Sequence, residues 1–165
     1  MRKKVLLIDD DPDEAELFKD VLADIDPTIS YHYCFSGKSA LASLTEGKVN
    51  PDIIFLDINM PEMDGWECVR NLKSIPVYKD IPVYMYSTSK RESDRAAARK
   101  MGAIDLITKA TNYRKFKDEV AAILNDRSTS SFIRTGPRIL ILSLMRYWRN
   151  SVRHAFTYPF KPNFQ

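Results

Sequence analysis

Histidine and cysteine are scarce in this chain, with two of each among 165 residues. Cys34 and Cys68 match no metal-binding or redox spacing, so they read as reduced, buried thiols rather than as ligands or a disulfide framework. His32 and His154 stand apart from the acidic motifs, and a satisfied or solvated side chain accounts for each. Long apolar runs are missing too. No segment approaches the roughly 18 apolar residues of a membrane span, and the four that follow Met1-Arg2-Lys3-Lys4 are too few for a signal peptide. These absences predict a soluble, cytoplasmic protein. Acid is absent from residues 127–165, which hold seven Lys/Arg and no Asp/Glu, whereas residues 1–126 hold 18 basic and 22 acidic side chains. The formal charges are +7 and −4, which predicts an acidic globular body, 1–126, carrying a basic extension, 127–165.

What is present is a regular alternation. Apolar residues make up 44% of the chain, enough for a sizeable core and against global disorder. Short runs at Val5–Ile8, Ile29–Phe35, Ile53–Leu56, Ile81–Tyr86 and Ile104–Ile107 read as strands. Between them stand helix signals. Pro12 suits a first turn, and Leu17, Val21, Leu22 and Ile25 give that helix its apolar face. Ser36 caps a second helix through Leu44, with Gly47 stopping it. A third follows Asp64-Gly65, with Val69 and Leu72 inward. Ser89 and Glu92 form a capping box for Lys90–Met101. Thr111 caps a last helix carrying Phe116, Val120, Ile123 and Leu124. Five strand–helix alternations predict an α/β fold with a parallel sheet covered on both faces.

The strand ends carry the chemistry. Strand one runs into Asp9-Asp10-Asp11, strand three into Asp57, strand four into Ser87 and strand five into Thr108-Lys109. Parallel strands place these ends on one edge of the sheet, where open α/β folds bind ligands. Each residue has a bland alternative: Asp9–Asp11 or Asp57 as a helix cap or loop carboxylate, Ser87 as a turn residue, Lys109 as a solvated charge. Four bland strand ends together are improbable. Three neighbouring carboxylates repel and raise one another's pKa, and a hard divalent cation relieves that repulsion, Mg²⁺ best among them. Lys109 adds a mobile positive charge and Ser87 a hydroxyl. The set suits phosphoryl transfer, which depends on positioning and charge neutralisation, with Asp57 as nucleophile.

With these residues in hand, the chain resembles the receiver domain of two-component response regulators over about residues 3–126. The resemblance rests on Leu7-Ile8-Asp9-Asp10-Asp11, on Leu56-Asp57-Ile58-Asn59-Met60-Pro61-Glu62-Met63-Asp64-Gly65, on Pro82–Ser87, and on Gly102-Ala103 with Lys109. It implies a flavodoxin-like three-layer fold with a five-stranded parallel sheet in order 2-1-3-4-5. It also implies that Asp57 accepts a phosphoryl group from a sensor histidine kinase or histidine phosphotransfer protein. Asp10 and Asp57 would bind Mg²⁺ directly, Asp9 through water and Asn59 through its backbone carbonyl, while Ser87 and Lys109 contact the phosphoryl group. Such a protein is not an enzyme on other substrates, catalysing its own phosphorylation and dephosphorylation alone. The chain departs from the family at two places. Ala110 replaces the proline that usually follows the lysine, and a non-proline cis peptide costs about 2.5–4 kcal/mol, so the loop shape there is not given by the resemblance. Leu106 replaces the usual aromatic switch, so an altered readout through the fourth helix and fifth strand is expected.

Residues 127–136 read as a polar linker, and Gly136-Pro137 as a break. In 138–156, Ile141, Leu144, Met145, Trp148, Val152 and Phe156 fall at helical spacing, with Arg146, Arg149 and Arg153 elsewhere around the helix. Such a basic amphipathic helix packs back on its own receiver, self-associates, or meets a membrane surface. No helix-turn-helix fits, so nucleic acid is not the expected partner. The end, with Pro159 and Pro162, reads as disordered. Two other readings of the whole remain: a receiver-like interaction module that works without phosphorylation, and an aspartyl-nucleophile hydrolase. Against the hydrolase, Asn59 stands where a second acid-base carboxylate would be needed.

Overall fold

The computed structural model describes residues 2–109 and 112–126, so the extension 127–165, with its helix and His154, lies outside the described residues, as do Ala110 and Thr111. The elements run β1 (Lys4–Ile8), α1 (Pro12–Ile25), β2 (Ser30–Cys34), α2 (Gly37–Thr45), β3 (Ile53–Asp57), α3 (Gly65–Ser74), β4 (Val83–Ser87), α4 (Glu92–Lys100), β5 (Asp105–Thr108) and α5 (Tyr113–Asn125). All five strands pair in parallel in the order β2-β1-β3-β4-β5. The chain therefore forms the expected flavodoxin-like three-layer α/β fold, with β3 at the centre and β1 and β4 on either side of it.

Strand alternation divides the core in two. Leu6, Ile8, Ile54, Leu56, Val83, Met85 and Leu106 face α2, α3 and α4, where Ala40, Leu44, Cys68, Val69, Leu72 and Ala98 meet them. Val5, Leu7, Ile53, Phe55, Tyr84, Tyr86 and Ile107 face α1 and α5. Strands buried on both faces must be apolar at nearly every position, which is why β1, β3 and β4 read as continuous runs rather than as alternating ones.

Several local expectations change. The buried stripe of α1 is Ala15, Phe18, Val21 and Leu22, while Leu17 is only half-buried, because the i, i+3, i+7 series starts from Ala15. Ser89 does not cap α4. The helix begins at Glu92 with no side-chain cap, and the Ser89 hydroxyl instead donates to Asp94 Oδ2 at 2.6 Å. Asn112, not Thr111, caps α5, its side-chain oxygen accepting the Lys115 N–H at 3.0 Å. β4 starts at Val83 because Pro82 has no N–H for the ladder. β5 starts at Asp105, leaving Ile104 exposed. The Asp105 carboxylate then pairs with Arg95 and Arg99 of α4.

Candidate functional site

The carboxyl edge of the sheet gathers the acidic residues. Asp9 follows β1, and its backbone N–H donates to Cys34 O at the end of β2. Its side chain turns inward and accepts the Asp11 N–H at 3.0 Å. Asp11 caps α1, accepting from the Asp13 N–H at 2.9 Å. The acidic run therefore divides its labour: Asp11 serves the helix, while Asp9 and Asp10 remain at the sheet edge. Asp57 is the last residue of β3, and its Oδ2 accepts the Asn59 N–H at 2.7 Å.

Gly65 makes the close approach of α3 possible. A Cβ there would stand 2.2 Å from Asp57 O and 2.8 Å from Ile58 Cα, both backbone atoms. The absence of a side chain lets the Gly65 N–H reach Ile58 O at 2.9 Å. On the other side, Ser87 ends β4 fully buried, with its Oγ accepting the Ser89 N–H at 3.2 Å and its carbonyl the Lys109 N–H at 2.7 Å.

Carboxylate oxygens of Asp9, Asp10 and Asp57 lie within 4.8 Å of one another. Lys109 Nζ sits among them, 2.7 Å from Asp9 Oδ2 and 3.0 Å from Asp57 Oδ1. Asp9 and Asp57 are buried and Asp10 is exposed, so the cluster is rooted in the protein and opens to solvent on one side. Lys109 is held rather than mobile, with 12% of its side chain exposed. Burial raises the Asp9 carboxyl above its ordinary range against the pull of Lys109 and the Asp11 N–H, and the Asp57 charge adds only a minor push in the same direction. Desolvation, more than mutual repulsion, is the dominant cause. For Lys109, burial works downward, but hydrogen bonds and charges from both carboxylates outweigh it and hold the ammonium above its usual value.

Beside the acids opens a cavity of about 320 Å³, lined by Ile58, Asn59, Trp66, Ser87, Thr88, Ser89, Arg91 and Asp94. Asn59 and Ser87, expected at the site, are on its wall, as is Trp66. Tyr86 does not reach it. It is fully buried beneath Lys109, whose Nζ stands 5.0 Å from the ring centroid. The sequence reading missed Arg91 and Asp94, which pair at 3.0 Å, with Ser89 donating to the same Asp94 oxygen. The polar run after Ser87 is legible in the sequence, but polar residues there suit helix capping equally well.

The donor set suits a hard divalent cation. Carboxylate oxygens are the ligands Mg²⁺ prefers, and two of them across one ion stand about 4.2 Å apart, twice the ~2.1 Å bond. Oxygens of Asp9, Asp10 and Asp57 within 4.8 Å of one another could share one such ion. Among the described residues this is the one group of three or more potential ligands that converges in this way.

A family model described as "Response regulator receiver domain" matches residues 5–121. Among curated proteins, the cyclic di-GMP phosphodiesterase response regulator RpfG of Xanthomonas campestris pv. campestris is 28% identical over 130 residues, covering 79% of this chain and 34% of RpfG. The transcriptional regulatory protein PrrA of Mycobacterium tuberculosis is 33% identical over 144 residues, covering 81% of this chain and 57% of PrrA. The chain spans about a third of the length of the first curated relatives it matches. Among solved structures, the phosphorylated cyanobacterial phytochrome response regulator RcpA superposes with a TM-score of 0.69 at 28% identity, covering 83% of this chain and 98% of RcpA.

Proposed function

The chain belongs to the response regulator receiver family, and from that premise we propose that Asp57 is the phosphoacceptor of a two-component signalling switch. Receiver domains of this family bind Mg²⁺ at their acidic site and interact with histidine kinases or phosphotransfer proteins. The observation that carries the assignment is the convergence of Asp9, Asp10 and Asp57, with Lys109 bridging Asp9 and Asp57, at the ends of three strands.

In this reading a carboxylate oxygen of Asp57 attacks the phosphorus of a phosphohistidine. The new O–P bond forms as the N–P bond breaks, and the imidazole leaves with the electron pair. Asp10 and Asp57 would hold a magnesium ion directly, Asp9 through water, and Asn59 through its backbone carbonyl. When bound, the ion neutralises charge on the phosphoryl oxygens. Lys109 exchanges its carboxylate partners Asp9 and Asp57 for a phosphoryl oxygen, and the Ser87 hydroxyl donates to another. The Asn59 N–H keeps the Asp57 carboxylate oriented for attack. Hydrolysis of the acyl phosphate then resets the switch, so the catalysis acts on the chain itself. The donor is a sensor histidine kinase or phosphotransfer protein, and the setting is the cytoplasm, in keeping with the lack of any helix among the described residues long and apolar enough to cross a membrane.

Calorimetric titration with Mg²⁺ tests the site. The wild type should bind one ion, Asp10→Asn should weaken binding by about tenfold or more, and lowering the pH should weaken it as the acids protonate. Absence of binding in the wild type would leave a phosphorylation-independent interaction module as the better reading.

A further inference from the structure

Tyr86 occupies a place in β4 that the proposed chemistry does not use. It is fully buried and is the register neighbour of Asp57 across β3 and β4. A phenol in a core must find a partner for its hydroxyl, which an aliphatic residue would not need. Here the O–H donates to Glu14 Oε2 on α1 at 2.8 Å. The ring stacks on Phe116 at 5.5 Å between centroids and meets Phe18 edge-on at 5.8 Å. Its direction is thus fixed from α1 and α5 together, and Lys109 Nζ lies over its face at 5.0 Å. Within about 6 Å, an aromatic face attracts an ammonium ion, the more so where water is excluded. The Glu14 carboxylate draws the phenol proton outward and leaves the ring richer in electrons.

Lys109 needs a hold of this kind. Its present partners are Asp9 and Asp57, and phosphorylation would take both away, one toward the cation and the other into the acyl phosphate. A ring face does not change in that exchange. We propose that Tyr86, fixed by Glu14, is a positioning residue for Lys109, its π face holding the ammonium at the phosphoryl-binding place while the carboxylate partners are lost. This rests on the reading of Asp57 as phosphoacceptor.

The test is a double-mutant cycle on the full chain, reading the rate constant of phosphorylation by acetyl phosphate at saturating Mg²⁺. Tyr86→Leu should slow the step about tenfold, and Tyr86→Met, whose flexible side chain fills irregular space, should do the same if the leucine variant fails to fold. Tyr86→Phe keeps the face and should restore most of the rate. In a Lys109→Gln background, removing the ring should cause no further loss, because its effect passes through the lysine. Calorimetric Mg²⁺ affinity should stay unchanged in Tyr86→Met. Equal losses in both backgrounds, or a loss in Tyr86→Phe as large as in Tyr86→Met, would overturn this inference alone. A wild type that takes up no phosphoryl group would overturn the parent reading with it.

Discussion

Asp9 is fully buried, and desolvation lifts its carboxyl above the ordinary range although Lys109 Nζ stands 2.7 Å away. A carboxyl whose folded pKa exceeds its unfolded value of 3.8 binds its proton more tightly in the fold. Ionising it costs stability as the pH rises through that interval, and the cost persists at neutral pH. Asp9 and Asp57 also place two negative charges against one ammonium, so neutralising Asp9 leaves a balanced Lys109–Asp57 pair rather than an orphaned charge. Asp9→Asn should therefore raise the melting temperature at pH 7 by a few degrees while weakening Mg²⁺ binding, a trade expected of functional sites. Calorimetric scans at pH 7 read the first effect, and a lowered melting temperature would mean that the lost ion pair outweighs relief from burial. Ser87→Ala removes a buried hydroxyl that now accepts the Ser89 N–H. It should leave Mg²⁺ affinity intact and slow phosphorylation by acetyl phosphate by up to about 100-fold, the scale of one lost donor. Leu106 is buried against α4 and pairs in register with Met85. It has no hydroxyl to exchange between buried and exposed partners, so the expected change in readout stands on a side chain that packs as core.

At the scale of elements, the junction of β3 with α3 sets the site's shape. Gly65→Ala would drive a Cβ into the backbone at Asp57 and Ile58. Relief requires α3 to move, at a cost of about 1–3 kcal/mol or more, and Asp57 moves with it. Chemical denaturation should register the loss, and phosphorylation should fall in step. Gly102→Ala is the control. Its φ of +92° strains any side chain, but the new Cβ would meet only the flexible stem of Lys73, so stability should drop by about 1 kcal/mol with phosphorylation retained. The cysteines report packing of the layer formed by α2 and α3. Burial raises both thiols, Cys68 to about 12. A thiol reagent at pH 8 should modify neither until the chain unfolds, when both react; rapid modification of native Cys68 would contradict the packing. Element order and type were legible because buried parallel strands write unbroken apolar runs. Helix starts were less so. At α4 and α5 several residues in succession can cap, and local side-chain partners choose among them: Asp94 draws Ser89 away from the cap, and Asn112 takes the place expected for Thr111.

For the whole molecule, every buried core residue among those described lies between Val5 and Leu124. The expected division into a receiver, 1–126, and an extension, 127–165, is tested by truncation. A chain cut after Asp126 should melt cooperatively within a few degrees of the full-length protein; a non-cooperative transition would place part of the core in the extension. The site's four strand ends could be read from sequence because a parallel sheet brings its carboxyl ends to one edge, wherever they fall along the chain. The Ser89–Asp94–Arg91 network and the Glu14–Tyr86–Lys109 line could not. The first is a local choice among several polar side chains at the start of α4, and the second depends on side chains meeting across elements, which no periodicity encodes. The most direct measurement is the intact mass of the full chain after incubation with Mg²⁺ and acetyl phosphate. One added phosphoryl group is expected for the wild type and none for Asp57→Asn or when Mg²⁺ is chelated. An unmodified wild type, or an Asp57→Asn chain modified to the same extent, would contradict the account.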